Sequence, residues 1–170
     1  MAPTLVRGEN LLVDMRDRRA PSRGTVVLIE TAQNPWIKRV VAVAGDRIAM
    51  VDGIPIINGK RVLQVRAGVA SDDSMGTVQS GQRSVETLSG EVGNHAVLDL
   101  GKAPQDNFPE TVVPTGQIFV MGDNRDSSMD SRFPRELGGV GMVSTTMILG
   151  RPLFIYWSAE RARIGTRLNP

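Results

Sequence analysis

Residues 122–132 read GDNRDSSMDSR, directly after the apolar run at 118–121. Three aspartates, two arginines, three serines and one asparagine share these eleven positions. The acidic positions 123, 126 and 130 suggest a calcium loop, which needs oxygen ligands at alternate positions and a glycine at the sixth. Counted from Asp123, the third position is Arg125 and the sixth is Ser128, so that reading fails. A phosphate-cradling loop fails too, because the chain has no GxxxxGK[ST] element. An ionic scaffold remains, in which aspartates and arginines lock the loop through charge-assisted hydrogen bonds. Such locking matters most where a small hydroxyl must be held in place. Ser127, Ser128 and Ser131 are the candidates, and composition does not choose among them.

A second informative stretch is WIKRVVAVA at 36–44. On a strand, successive side chains point to opposite faces. Lys38 then shares a face with Trp36, Val40 and Ala42, and Arg39 shares one with Ile37, Val41 and Val43. Two adjacent cations are thereby sent into two largely apolar environments. Burial disfavours the charged amine and lowers its pKa, as a general base requires. The competing reading is a lysine at a sheet edge whose head snorkels to water.

Around these stretches the chain reads as short strands and turns. Strands are expected at 10–13, 25–30, 47–51, 83–88, 95–100, 110–114, 117–121, 140–149 and 152–157. Asp52-Gly53 signals a turn, and Asn58-Gly59 a hairpin between IPII and KRVLQV. The stretch 67–81, rich in Gly, Ser, Asp and Ala, reads as a flexible surface loop. Residues 102–109 form a second loop. Helices are expected to be scarce, and the fold class is mainly β with antiparallel sheets. The chain is expected to form a single domain, with a core at about 1–52 and 115–170 and an inserted β subdomain at about 53–114.

Composition narrows the chemistry. The chain has 170 residues, is 41% hydrophobic and 22% charged, and carries a formal charge of +2, as an ordinary globular protein does. Arginines gather at Arg16, Arg18, Arg19 and Arg23, and at Arg161, Arg163 and Arg167. Neither group is interleaved with aromatic residues, so both read as solvated or membrane-facing surface and not as a nucleic-acid site. With no cysteine, disulfides, thiol catalysis and zinc–thiolate sites are excluded. The single histidine, His95 in GNHAVLDL, cannot build a multi-histidine metal centre, and a Ser-His-Asp triad would rest on it alone. Neither a metal nor a cofactor is expected. No apolar run approaches the roughly 20 residues that span a bilayer, and the first residues lack the pattern of a signal peptide. These residues by themselves are expected to be soluble or peripheral.

Taken together, these segments resemble the catalytic domain of bacterial type I signal peptidase, a serine endopeptidase family that uses a Ser/Lys dyad. GDNRDSSMDSR matches the family pattern GDNRxxSxDSR at every fixed position. IKRVVAVAGD is similar to IKRVVGLPGD, and RGTVVLIE to RGDVVVF with Thr25 in place of aspartate. IPIINGK resembles the INGK hairpin, and VPTGQIFVMGDN resembles VPxGxxFVMGDN. The similarity covers nearly the whole chain in the same order. By position it implies Lys38 as general base and Ser128 as the hydroxyl that orients its amine. It also implies ion pairs Arg39–Asp123 and Asp130–Arg132, with Met1, Leu5, Trp36 and Ile37 lining shallow pockets for an Ala-x-Ala-like cleavage motif. The substrate would lie extended along a strand edge.

The family's nucleophile lies in S-M-x-P-T, and this chain begins Met1-Ala2-Pro3-Thr4-Leu5. The nucleophilic serine is therefore expected immediately before Met1, and these 170 residues alone are expected not to cleave. A reading frame begun inside the motif, a chain cut there, or a non-catalytic paralogue would each account for this. The family's membrane anchor is likewise expected upstream. The resemblance implies removal of signal peptides from secreted preproteins on the periplasmic or extracellular side of the cytoplasmic membrane, by a monomer. Phe154, Tyr156 and Trp157 would rest on the membrane surface. Alternatives are a processing peptidase of the conjugation-pilus type and a catalytically silent module that binds signal-peptide regions or membrane.

Overall fold

The computed structural model describes residues 1–17, 19–73, 76–90 and 93–169. Arg18 of the first arginine group lies outside them, as do residues 74 and 75 of the stretch 67–81. The strands are β1 (Asn10–Asp14), β2 (Val26–Ile29), β3 (Trp36–Val43), β4 (Arg47–Val51), β5 (Ile54–Ile57), β6 (Lys60–Arg61) and β7 (Leu63–Asp72). They continue with β8 (Gln79–Thr87), β9 (His95–Asp99), β10 (Phe108–Val112), β11 (Gln117–Met121), β12 (Val143–Ser144) and β13 (Ile148–Trp157). Helix is confined, among the described residues, to short 3-10 turns. The fold is mainly β.

Among the described residues, three antiparallel sheets form. The first has six strands in the order β1-β13-β2-β3-β11-β12, and the second has four, β10-β4-β5-β6. The third is the three-stranded β7-β8-β9. Local turn chemistry sets the β4–β5–β6 meander. Asp52 and Gly53 adopt φ of 48° and 75°, and Asn58 and Gly59 adopt 52° and 74°. Positive φ at both central residues is what a tight two-residue hairpin needs, and Asn, Asp and Gly tolerate it.

Two expectations are corrected. The stretch 67–81 is not a loop, because β7 and β8 run through most of it as a long hairpin. Two of its glycines, Gly68 and Gly81, serve the sheet. The β7–β8 register shifts between Arg66 and Val69, where Gly68 takes a φ of 100°. A β-carbon on Gly81 would sit 2.0 Å from the Asp99 carbonyl oxygen of β9. Composition alone does not separate a bulged, closely packed hairpin from a flexible loop. The stretch 140–149 is not one strand either: β12 ends at Ser144, a 3-10 turn covers Thr145–Met147, and β13 begins at Ile148.

Apolar side chains gather in three clusters. Val41, Ala42, Ile48, Met50, Leu88, Phe119 and Met121 form one, and Val27, Ile29, Val40, Ile118, Val120 and Val143 form another. Leu5, Ile155 and Leu168 tie the chain's two ends together in a third. Burying one such side chain contributes about 1.5–3 kcal/mol, so these clusters fix where β3 and β11 lie. The pairing of β3 with β11 slips between Phe119 and Val120, leaving Val41 without a partner. This bulge resets the side-chain alternation. Ala42 therefore packs with Val41, and Val43 packs with Val40, reversing the faces expected for both.

Candidate active site

β3 precedes its bulge with regular alternation, and there Lys38 and Arg39 diverge. Both are buried, with 8% and 4% of their surfaces exposed. The Lys38 ammonium donates to Ser128 Oγ at 2.7 Å and lies 5.1 Å from the centre of the Trp36 ring. Trp36 is two residues away on the same strand, so it shares the lysine's face. Burial pulls the Lys38 pKa down to about 8; Asp130 works against this, Arg132 with it, and Asp123 against it.

Arg39 points the other way and grips Asp123 through two parallel bonds, Nε to Oδ1 and Nη2 to Oδ2, each 2.8 Å. Its Nη1 donates to the Gly24 carbonyl at 2.7 Å. Burial opposes ionisation of Asp123, but the facing Arg39 overcomes that and holds its pKa below the ordinary value. The Thr4 hydroxyl donates to the same carboxylate, which ties the N-terminal segment to the pair.

The stretch 122–132 folds back on itself through a second pair. Arg132 donates to Asp130 from Nε and Nη2, both at 2.9 Å, and also to the Arg125 carbonyl. The Gly122 amide donates to Asp130 Oδ2 at 3.1 Å. Of the three serines, Ser131 is occupied: its Oγ accepts from the Val120 amide at 2.9 Å. The Ser127 amide donates to Asn124 Oδ1 at 3.0 Å. Ser128 is the one that meets the lysine.

Met1, Leu5, Trp36 and Ile37 line one cleft of about 510 Å³, together with Lys38 and Ser128. The Met1 amine is largely buried there. Its pKa is lowered mainly by burial; Asp123 opposes the shift, the Lys38 cation adds to it, and Asp72 opposes it. The ten residues that the resemblance implies for the site and its ion pairs thus fall either in this cleft or in the two pairs. Sequence reading missed Asp72 and Asn124. Asp72 also lines the cleft and accepts from Asn124 Nδ2 at 2.6 Å. Asp72 ends a strand in a stretch whose composition reads as loop, so no sequence signal marks it. His95 lies elsewhere: it is buried with its Nε2 3.2 Å from Glu86 Oε1, and Arg125 Nη2 donates to that same oxygen at 2.5 Å.

Among the described residues, no group of three or more His, Cys, Asp or Glu side chains could hold a metal ion. Likewise no helix among them is long and apolar enough to cross a membrane.

A close neutral hydroxyl and a buried amine of lowered pKa can together receive and relay a proton. The family model described as "Signal peptidase, peptidase S26" matches residues 1–157. The chain is 30% identical over 167 residues to "Signal peptidase I" of Bacillus licheniformis, covering 96% of this chain and 75% of that protein. It is 29% identical over 167 residues to "Signal peptidase I T" of Bacillus subtilis (strain 168), covering 96% and 72%. To "Signal peptidase IB" of Staphylococcus aureus (strain Mu50 / ATCC 700699) it is 27% identical over 160 residues, covering 92% and 73%. With the site's geometry and these matches in hand, the chain belongs to the signal peptidase family, peptidase S26.

Proposed function

We propose that the cleft is the active site of a serine endopeptidase that removes signal peptides from secreted preproteins, with Lys38 as general base. The observation that carries this reading is the amine of the buried Lys38, bonded to Ser128 at 2.7 Å. An ordinary lysine, with a pKa near about 10.4, is protonated at neutral pH and cannot take a proton from a serine. A value of about 8 leaves a usable neutral fraction. Ser128 orients the amine, and the two ion pairs hold the strand and loop in register.

The nucleophile of this mechanism is a serine directly ahead of Met1. Met1 lines the same cleft as Lys38, which supports that placement. Attack forms an acyl-enzyme as the serine proton passes to Lys38, which returns a proton to the leaving amine; water then releases the acyl group by the same route. Shallow apolar walls from Met1, Leu5, Trp36 and Ile37 suit small side chains such as the alanines of an Ala-x-Ala motif. The substrate would add its backbone to a strand edge.

The membrane surface is the natural place for this reaction, on the periplasmic or extracellular side. Supporting it are Leu12, Leu153, Tyr156 and Trp157, which are exposed on the paired strands β1 and β13. Amphipathic aromatic rings favour the interface between lipid and water.

The test is a chain carrying one added serine before Met1, incubated with a preprotein that has an Ala-x-Ala site. Cleavage after the second alanine is expected, with loss of activity in Lys38→Ala. Full activity in the Lys38→Ala form would overturn the dyad assignment.

A further inference from the structure

The loop 122–132 is held from outside as well as from within, and every strand of the third sheet takes part. From β9, the Leu98 amide donates to the Asp123 carbonyl, and the Leu98 carbonyl accepts from the Arg125 amide, both at 2.8 Å. From β8, Glu86 receives the Arg125 guanidinium at 2.5 Å. From the end of β7, Asp72 receives Asn124 Nδ2 at 2.6 Å. Glu86 and Asn124 are fully buried, and Asp72 is 8% exposed.

The Asp72 contact differs from the other two in what lies downstream of it. Asn124 turns its Nδ2 to Asp72 and its Oδ1 to the amides of Asp126 and Ser127, at 3.3 and 3.0 Å. A side-chain amide with both ends engaged cannot rotate without breaking a bond. Fixing Ser127 fixes the next residue, Ser128, which holds Lys38 Nζ. Asp72 also lines the cleft that holds Lys38.

We propose that Asp72 is a positioning residue for the Lys38–Ser128 pair, acting through Asn124. The proposal rests on the reading of Lys38 as general base, and the experiment separates the two. The hairpin β7–β8 thereby supplies part of the active site's support from a sheet that contributes no reacting group.

The chain has three lysines, Lys38, Lys60 and Lys102, and the last two are exposed. A protein labelled with ¹³Cε-lysine therefore gives a spectrum in which Lys38 can be titrated directly, with no need for a nucleophile. Asp72→Ala frees Asn124, loosens Ser127 and lets water reach the amine, so the Lys38 midpoint is expected to rise by about 1 pH unit toward its ordinary value. Asp72→Asn keeps an acceptor for Asn124 Nδ2 while removing the charge, and should stay within a few tenths of the parent. Asn124→Ala should reproduce the Asp72→Ala rise, and combining the two should add nothing further.

An unchanged midpoint in both alanine variants overturns the proposal and leaves the general-base reading intact. A fall in both Asp72 variants also overturns it, because losing a nearby anion lowers a lysine's pKa directly. If parent Lys38 titrates together with Lys60 and Lys102, the general-base reading itself fails. Should Asp72→Ala not fold, the Asn124→Ala and Asp72→Asn titrations carry the decision.

Discussion

Gly122 lies directly against Ser128: a β-carbon on residue 122 would stand 2.3 Å from Ser128 Oγ and 2.6 Å from its Cβ. The contact explains why the residue that follows strand β11 carries no side chain. Gly122→Ala must push Ser128 away from Lys38, and a displacement near 1 Å at such a site costs about 100-fold in rate. In the chain bearing a serine before Met1, kcat should fall by about that factor with KM little changed. Steady-state cleavage of a peptide with an Ala-x-Ala site checks this, and unchanged kcat would show that Ser128 is not the hydroxyl that matters.

The lowered pKa of Lys38 makes both activity and stability depend on pH. The reactive form is the neutral amine, so kcat/KM should rise with pH and reach half its plateau near pH 8. Between about 8 and the unfolded value near about 10.4, the unfolded chain binds the extra proton, so stability rises with pH across that window. Below it the full cost of burying the cation is present. Lys38→Met should therefore stabilise the fold at pH 7 by about 1–3 kcal/mol, and the gain should shrink by pH 10. Urea unfolding at the two pH values tests it; a gain that persists undiminished at pH 10 would contradict the account.

Arg39 and Asp123 are almost wholly enclosed, at 4% and 1% exposure. Removing one partner strands the other charge, which costs about 3–5 kcal/mol. Arg39→Met is expected to destabilise by that amount. The double variant Arg39→Met with Asp123→Leu should cost less than Arg39→Met alone, because no buried charge is left unpaired. Denaturant melts of the three proteins measure the difference directly.

Tyr156 and Trp157 are about half exposed at the end of β13. If this surface meets lipid, the chain should bind vesicles of mixed zwitterionic and anionic phospholipid with a blue shift in tryptophan emission. Trp157→Phe should remove most of that shift, since the other tryptophan, Trp36, packs beside the valine-rich cluster of β2, β3 and β11. Binding without any change in emission would place the contact elsewhere.

Much of this was legible in the residues. The period of two in β3 assigned Lys38 and Arg39 to opposite faces, and Asp52-Gly53 and Asn58-Gly59 marked their turns. Both signals are local: they depend on sterics within a few residues of backbone. The loop 122–132 announced an ionic scaffold through its own composition, and Asp130 and Arg132 do pair within it. The stretch 67–81 misled, because Gly81 answers to the Asp99 carbonyl and Gly68 to a bulge, neither visible from inside the stretch.

The sequence by itself therefore determined the mainly β class, the placement of two cations on one strand and the short-range ion pair of the loop. The tertiary structure supplied what no local pattern holds: the 2.7 Å bond between Lys38 and Ser128, 90 positions apart, and the grip of Asp72 on Asn124 across 52 positions. It also decided that the bulge at Val41 reverses the faces of Ala42 and Val43. Each of these depends on bonds between segments distant in the chain, whose geometry is set only once three sheets have packed.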